Sequence, residues 1–285
     1  FFCHTRPPAM RFEASTQTTN SAFSALHEHG CCVDEDGVVR DIVSRVRACD
    51  MAQVHNPSSI VSLLMEHVTL RLRDEYDMAH QTFVPAPADA TDGEVQDTAH
   101  TDLGDATPPW QWKAWFSEGW EESPTLCLLV AGTGTARAGL WSRSVCVEHG
   151  VHAGSIIPFV DMCRALGWGC VVFDPNASWS GPEGPLQYAR ALWAHLSARS
   201  AARSMVALTY GSGAALLCHV LDSDPSARNR LAGAALVEAA AAAAVARQTA
   251  LTPQTRLWLA ARSVGWRASE HAPLGAVLDG KVAAS

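Results

Sequence analysis

The chain has 285 residues, 48% hydrophobic and 18% charged, with a formal net charge of -8. These values fit a globular protein with a sizeable core, and the acidic balance without any Lys/Arg run argues against a face built to neutralise nucleic-acid phosphates. Nine cysteines, an odd count without a C-x-x-C pair and several inside apolar runs such as LCLLV and GCVVF, read as reduced core thiols.

Residues 1–20 are polar and Thr-rich and read as a loose tail, with His4, Arg6, Pro7 and Pro8 interrupting any signal-peptide pattern. Residues 21–285 are expected to form one domain: a hairpin and helix over 21–84, a flexible insertion over 85–109 and a sheet core over 123–275. In LHEHGCCVDEDGVVRDI, alternation on both sides of Asp34–Gly37 predicts a hairpin with Gly37 at positive φ. On a strand, His27, His29 and Cys31 would share one face, a candidate zinc set that lacks a fourth ligand; hairpin residues without metal are the preferred reading. Apolar positions 60, 61, 64, 65, 68 and 70 predict a helix, with Ser58 or Ser59 as its N-cap. Residues 85–109 are rich in Pro, Asp, Ala and Thr without periodicity. WQWKAWFSEGW reads as an element laid on the core, or as an exposed aromatic groove for a partner peptide.

From Leu126 the pattern becomes strand–helix repeats. TLCLLV, GCVVF, SMVALTY and LAGAALVE read as strands buried on both faces. IPFVDMCRALG, GPLQYARALWAHLSARSA, the stretch after Gly211 and TPQTRLWLAARSVGW read as helices, with Gly167 and Pro253 as boundary signals. This predicts an α/β fold with a mostly parallel sheet and helices on both faces. The turns at 131–139, 174–178, 209–213 and 238–240 would then converge at the carboxyl ends of the strands, where sites on such sheets gather. The alanine-rich stretch Leu231 to Ala246 is too short and too weakly apolar to span a bilayer.

Two of these turns carry candidate chemistry. In AGTGTARAGLW, the backbone N–H groups of Gly132, Thr133 and Gly134 can hold an oxyanion or a phosphate, and Arg137 and Arg143 either bind an anion or pin loop carbonyls. Arg137 occupies the third glycine position of a dinucleotide fingerprint, and no Lys supports a phosphate loop. In MVALTYGSGAAL, a strand turns sharply into a helix, as at a nucleophile elbow. Thr209 stands at the nucleophile position, with Tyr210 supplying an oxyanion N–H and Glu238 as the acid. Ser212 is expected to point along the helix. The one histidine downstream of Glu238 is His271, in a loop-like stretch. Glu148–His152 reads as a loop with weak metal potential.

Together these residues resemble the Argonaute-binding-protein-two (Arb-two) domain family. The resemblance rests on LLVAGTGTARAGLWSRSVCVEHGVHAGSIIPFVDMCRALGWGCVVFDPN, where Arg137-Ala138-Gly139, Trp141, Arg143, Gly154-Ser155, Pro158-Phe159 and Pro175-Asn176 stand in the family pattern. It extends more weakly over about residues 25–275. It implies an α/β-hydrolase-like fold and nuclear work in small-RNA (siRNA) gene silencing, heterochromatin and RNA processing, with Argonaute- or chromatin-type protein partners. The family domain is also appended to some histone deacetylases. The family's H-S-Y-G-G elbow is matched here by Leu208–Ser212, so Thr209 replaces Ser; Ala131 replaces the His of the first glycine turn, and Glu238 the Asp. The last strand and His-bearing loop of the family would lie beyond Ser285, so a C-terminally truncated chain is expected. The preferred expectation is a pseudoenzyme: a non-catalytic scaffold in the nucleus and/or cytoplasm, with no cofactor, metal, membrane or direct nucleic-acid contact. The alternatives are an esterase or amidase using Thr209, and an anion or nucleotide site on the Gly132–Gly134 turn.

Overall fold

A computed structural model describes residues 26–35, 37–51, 57–83, 112–133, 138–176, 184–239 and 251–267. The expected tail at 1–20 and insertion at 85–109 lie outside the described residues, as do Gly134, Arg137 and His271.

The chain opens with an antiparallel hairpin of β1 (Cys31–Val33) and β2 (Val39–Asp41), and Gly37 turns it at φ +80° as the sequence predicts. Residues 26–28 are helical, so His27 and His29 do not share a strand face with Cys31. Among the described residues no group of three His, Cys, Asp or Glu side chains is placed to hold a metal. Helix α1 (Pro57–Asp74) buries Ile60, Leu64, Val68 and Leu72 at fourfold spacing. Ser58 and Ser59 lie inside its first turn rather than at its cap.

The strands that follow are β3 (Ala79–Phe83), β4 (Trp112–Phe116), β5 (Thr125–Val130), β6 (Gly169–Phe173), β7 (Ser204–Tyr210), β8 (Leu231–Val237) and β9 (Ser263–Trp266). They form one seven-stranded sheet in the order β3-β4-β6-β5-β7-β8-β9. β5 through β9 run parallel, and only β3 and β4 are antiparallel, at one edge. The α/β class and the mostly parallel sheet are therefore as expected. One expectation changes: Ser263–Trp266 is an edge strand, not the end of a helix. The aromatic run Trp112–Phe116 is a largely buried strand, which agrees with the reading of an element laid on the core and not with an exposed groove.

The helices are α2 (Arg143–His149), α3 (Val151–Gly154), α4 (Ile157–Ala165), α5 (Gly184–Arg199), α6 (Gly213–Ser223), α7 (Pro225–Arg230) and α8 (Pro253–Arg262). Residues 148–152, read as a loop, belong to α2 and α3 and the Gly150 break between them. Because side chains alternate along a strand, the sheet carries two cores. Leu126, Leu128 and Val130 pack with α5, α6 and Trp258 of α8 on one face. Cys127 and Leu129 pack with α1, α4 and the hairpin on the other. No helix among the described residues is long and apolar enough to cross a membrane.

Candidate functional site

The carboxyl ends of β5, β6, β7 and β8 meet where the fold predicts a site. The turn after β7 decides its character. Thr209 is fully buried within the strand, its hydroxyl donating to Ala235 O at 3.4 Å. The residue with positive φ is Gly211, at +56°. The sharp turn therefore lies two residues beyond the position read from the sequence, and its apex carries no side chain. Two residues on, Gly213 begins α6 so close to β5 that a Cβ there would sit 2.2 Å from Val130 O. This is a strand–turn–helix junction that only glycine permits.

Ser212 does not point along the helix. Its hydroxyl reaches across to the turn after β5, accepting from Thr133 N–H at 2.8 Å and lying 3.1 Å from Thr133 Oγ1. The Thr133 N–H proposed for an oxyanion is thus already engaged, and Gly211 N–H donates to Val237 O at 2.9 Å. Asn176 donates to Gly132 O at 3.2 Å, binding the turn after β6 to the same loop. Glu238 follows β8 at φ +51°, its N–H held by Trp266 O at 2.8 Å. A side chain in that conformation is strained. Tyr210 is half-buried, its ring 5.9 Å from Trp141. Arg143, first residue of α2, is exposed. Among the described residues, no hydrogen bond joins Thr209, Thr133 or Ser212 to a histidine.

The same end of the sheet holds a pair that the sequence does not disclose. Asp174, directly after β6, is buried, with His80 Nε2 3.5 Å from its Oδ2 and Ala138 N–H 3.3 Å from its Oδ1. The imidazole stacks on Trp115, with ring centroids 4.5 Å apart. Tyr188 closes the network, accepting from Asp174 N–H and donating to Lys113 O. His80 lies 94 residues before Asp174 on an edge strand of mostly polar composition, so no local spacing signals the pair.

No family model matches the chain. A FAM172 family protein homologue of Caenorhabditis elegans is 26% identical over 103 residues, 34% of this chain and 33% of that protein. Human "Cotranscriptional regulator ARB2A" is 35% identical over 60 residues, 21% of this chain and 14% of that protein. A chicken ARB2A homologue is 26% identical over 117 residues, 41% of this chain and 24% of that protein. Over these segments the chain is similar to proteins named for ARB2A and FAM172. The matched segments span a third or less of these relatives' own length. Among solved structures, a Saccharomyces cerevisiae histone deacetylase covers 75% of this chain and 82% of its own, at 11% identity and TM-score 0.41. A Pyrobaculum calidifontis esterase gives 9% identity and TM-score 0.40 over 75% of this chain and 83% of its own.

The Arb-two-like motifs have a structural meaning here. The Ala138–Arg143 and Gly154–Phe159 segments grip each other: Trp141 N–H donates to Gly154 O at 2.8 Å, and Ile156 N–H to Gly139 O at 2.9 Å. Gly139 is required twice over, by φ +101° and by Val68, whose Cγ1 lies 2.6 Å from where a Cβ would fall. Trp141 then packs between Phe159 and Tyr210, tying this clasp to the elbow.

Proposed function

We propose that the chain is a non-catalytic, hydrolase-like domain that acts in nuclear, cotranscriptional regulation through protein partners, as its relatives' names suggest. The single observation that favours it is the bare apex at Gly211. Nucleophilic catalysis needs an exposed hydroxyl or thiol at the turn, a base beside it and free N–H donors for the oxyanion. Here Thr209 is sealed in the sheet, and the Thr133 and Gly211 N–H groups are engaged within the fold. The finer assignment, a scaffold in small-RNA-directed silencing and heterochromatin with Argonaute-type partners, follows the Arb-two resemblance.

Two measurements test this. A fluorophosphonate probe should leave the native chain unlabelled; labelling that disappears in Thr209→Ala would make the chain a hydrolase. A tagged chain crosslinked in cells should be recovered on chromatin and lost from it when transcription is blocked. Recovery that is absent, or indifferent to transcription, would remove the cotranscriptional role.

A further inference from the structure

Away from the elbow, at the amino ends of β5 and β6, the fold gathers three thiols. Cys127 and Cys170 are directly paired across the parallel strands β5 and β6, so they project side by side from one face. Helix α4 covers that face and brings Cys163 onto both. All three are at most 2% exposed. Two of them, Cys163 and Cys170, also border open space. A cavity of about 470 Å³ opens beside them, lined by Cys163, Cys170, Tyr76, Glu118, Arg164 and Trp168. Cys127 stands behind the other two and does not line it.

We propose that Cys163 is a peroxide-reactive thiol and that Cys170 resolves it to an intramolecular disulfide. The thiolate is the reactive form of cysteine. Hydrogen bonds from Cys127 and then Cys170 hold the Cys163 thiol below its ordinary range despite burial, while the same bonds push both partners up. Cys163 is thus the one thiol of the cluster that meets both others and also lines the cavity. Hydrogen peroxide is small and neutral and enters the cavity without a charge penalty. The Cys163 sulfur attacks one peroxide oxygen: the S–O bond forms, the O–O bond breaks, and the departing hydroxide takes a proton to leave as water. Cys170 then attacks the sulfenic sulfur. An S–S bond forms, the S–O bond breaks, and the Cys170 proton leaves with the hydroxyl as a second water. Two electrons pass from the thiol pair to the peroxide, so the step balances. Cys170 is the resolving partner because it shares the cavity through which that water departs.

The native chain supplies its own controls. Cys146 and Cys218 are buried without such thiol partners, and burial pushes them up to about 12 and about 11. The purified chain would be exposed to hydrogen peroxide, with dimedone trapping and site-resolved mass spectrometry. Cys163 is expected to react at least about tenfold faster than Cys146, and a dithiothreitol-reversible Cys163–Cys170 link should accumulate. In Cys170→Ser, dimedone should capture the sulfenic acid on Cys163. A Cys163 no faster than Cys146 overturns the proposal, as does a link from Cys163 to Cys127 in place of Cys170. If this variant fails to fold, the rates and linkage in the native chain still decide.

Discussion

Two glycines of the elbow, two residues apart, are glycine for different reasons, and substitution separates them. At Gly211 the demand is conformational: φ is +56°, but nothing lies within 4 Å of an added Cβ. Gly211→Ala should cost only the left-handed backbone penalty, about 1–2 kcal/mol. At Gly213 the demand is steric: an added Cβ meets Val130 O at 2.2 Å and Ala131 O at 2.9 Å, both backbone atoms that cannot swing away. Gly213→Ala should cost about 3 kcal/mol or more, because α6 must move off β5. Urea midpoints at constant slope measure both; equal losses would show that the helix does not rest on the strand. These residues also show what the sequence conceals. T-Y-G-S-G offers two elbow registers, since Ser or Thr and Gly alternate through it. Hydrophobic pattern places the strand end within a residue or two, and only the backbone torsion at Gly211 selects the apex. The reach of Ser212 to Thr133 spans 79 residues and has no local signature.

Elements were legible in proportion to their burial. β5, β6 and β7 run as apolar stretches between glycine turns and stand where the pattern puts them, whereas β3 and β9 carry no such signal. β3 reads AHQTF, with an exposure pattern that buries only Phe83, because an edge strand needs few apolar residues. β9 has four residues directly after α8, and its SVGW is as compatible with a helix end as with a strand. The junctions between elements are where single side chains have most leverage. Asp224 caps α7 by accepting from Ser226 N–H at 2.8 Å, and its other oxygen accepts from Trp193 Nε1 of α5 at 2.7 Å. Asp224→Ala removes the cap, worth about 1 kcal/mol, and strands a buried indole N–H, worth about 1–3 kcal/mol. A total loss of about 2–3 kcal/mol is expected by chemical denaturation, with Asp224→Asn recovering more than half of it. Burial alone would raise the Asp224 carboxyl, but the bonds from Ser226 and Trp193 prevail and hold it below its ordinary value. Its contribution is therefore intact above about pH 4 and fades as pH falls further. An Asn variant no better than Ala would mean that the lost charge, not the two bonds, carries the effect.

At the scale of the whole molecule, the N-terminal hairpin packs into the second core and also meets the body along a backbone seam. Val151 N–H donates to Gly37 O at 2.7 Å, and Gly150, at φ +95°, lets the two backbones touch. The His152 ring packs against Gly37, and behind it on α1 lies His67, only 4% exposed. Burial lowers the His67 imidazole to about 4, with Arg71 and His152 acting in the same direction and Glu75 against them. The unfolded chain binds that proton near pH 6.5, so the native state is the poorer proton acceptor. Stability from this residue is complete above about pH 6.5 and is lost as pH falls toward about 4, at up to about 1.4 kcal/mol per pH unit and about 3 kcal/mol in all. A charged His67 would sit unsolvated between α1 and the seam, so the first event on acidification should be release of the hairpin rather than collapse of the sheet. Amide exchange followed from pH 7 to 4.5 should then show Cys31–Val33 and Val39–Asp41 losing protection before β5 and β7. His67→Gln should flatten the dependence of the urea midpoint over the same interval while leaving its value at pH 7.5 within about 1–2 kcal/mol of the native chain, the cost of exchanging one buried polar side chain for another. Parallel curves for the native chain and the variant would assign the acid sensitivity to other groups and leave the seam as a purely packed joint.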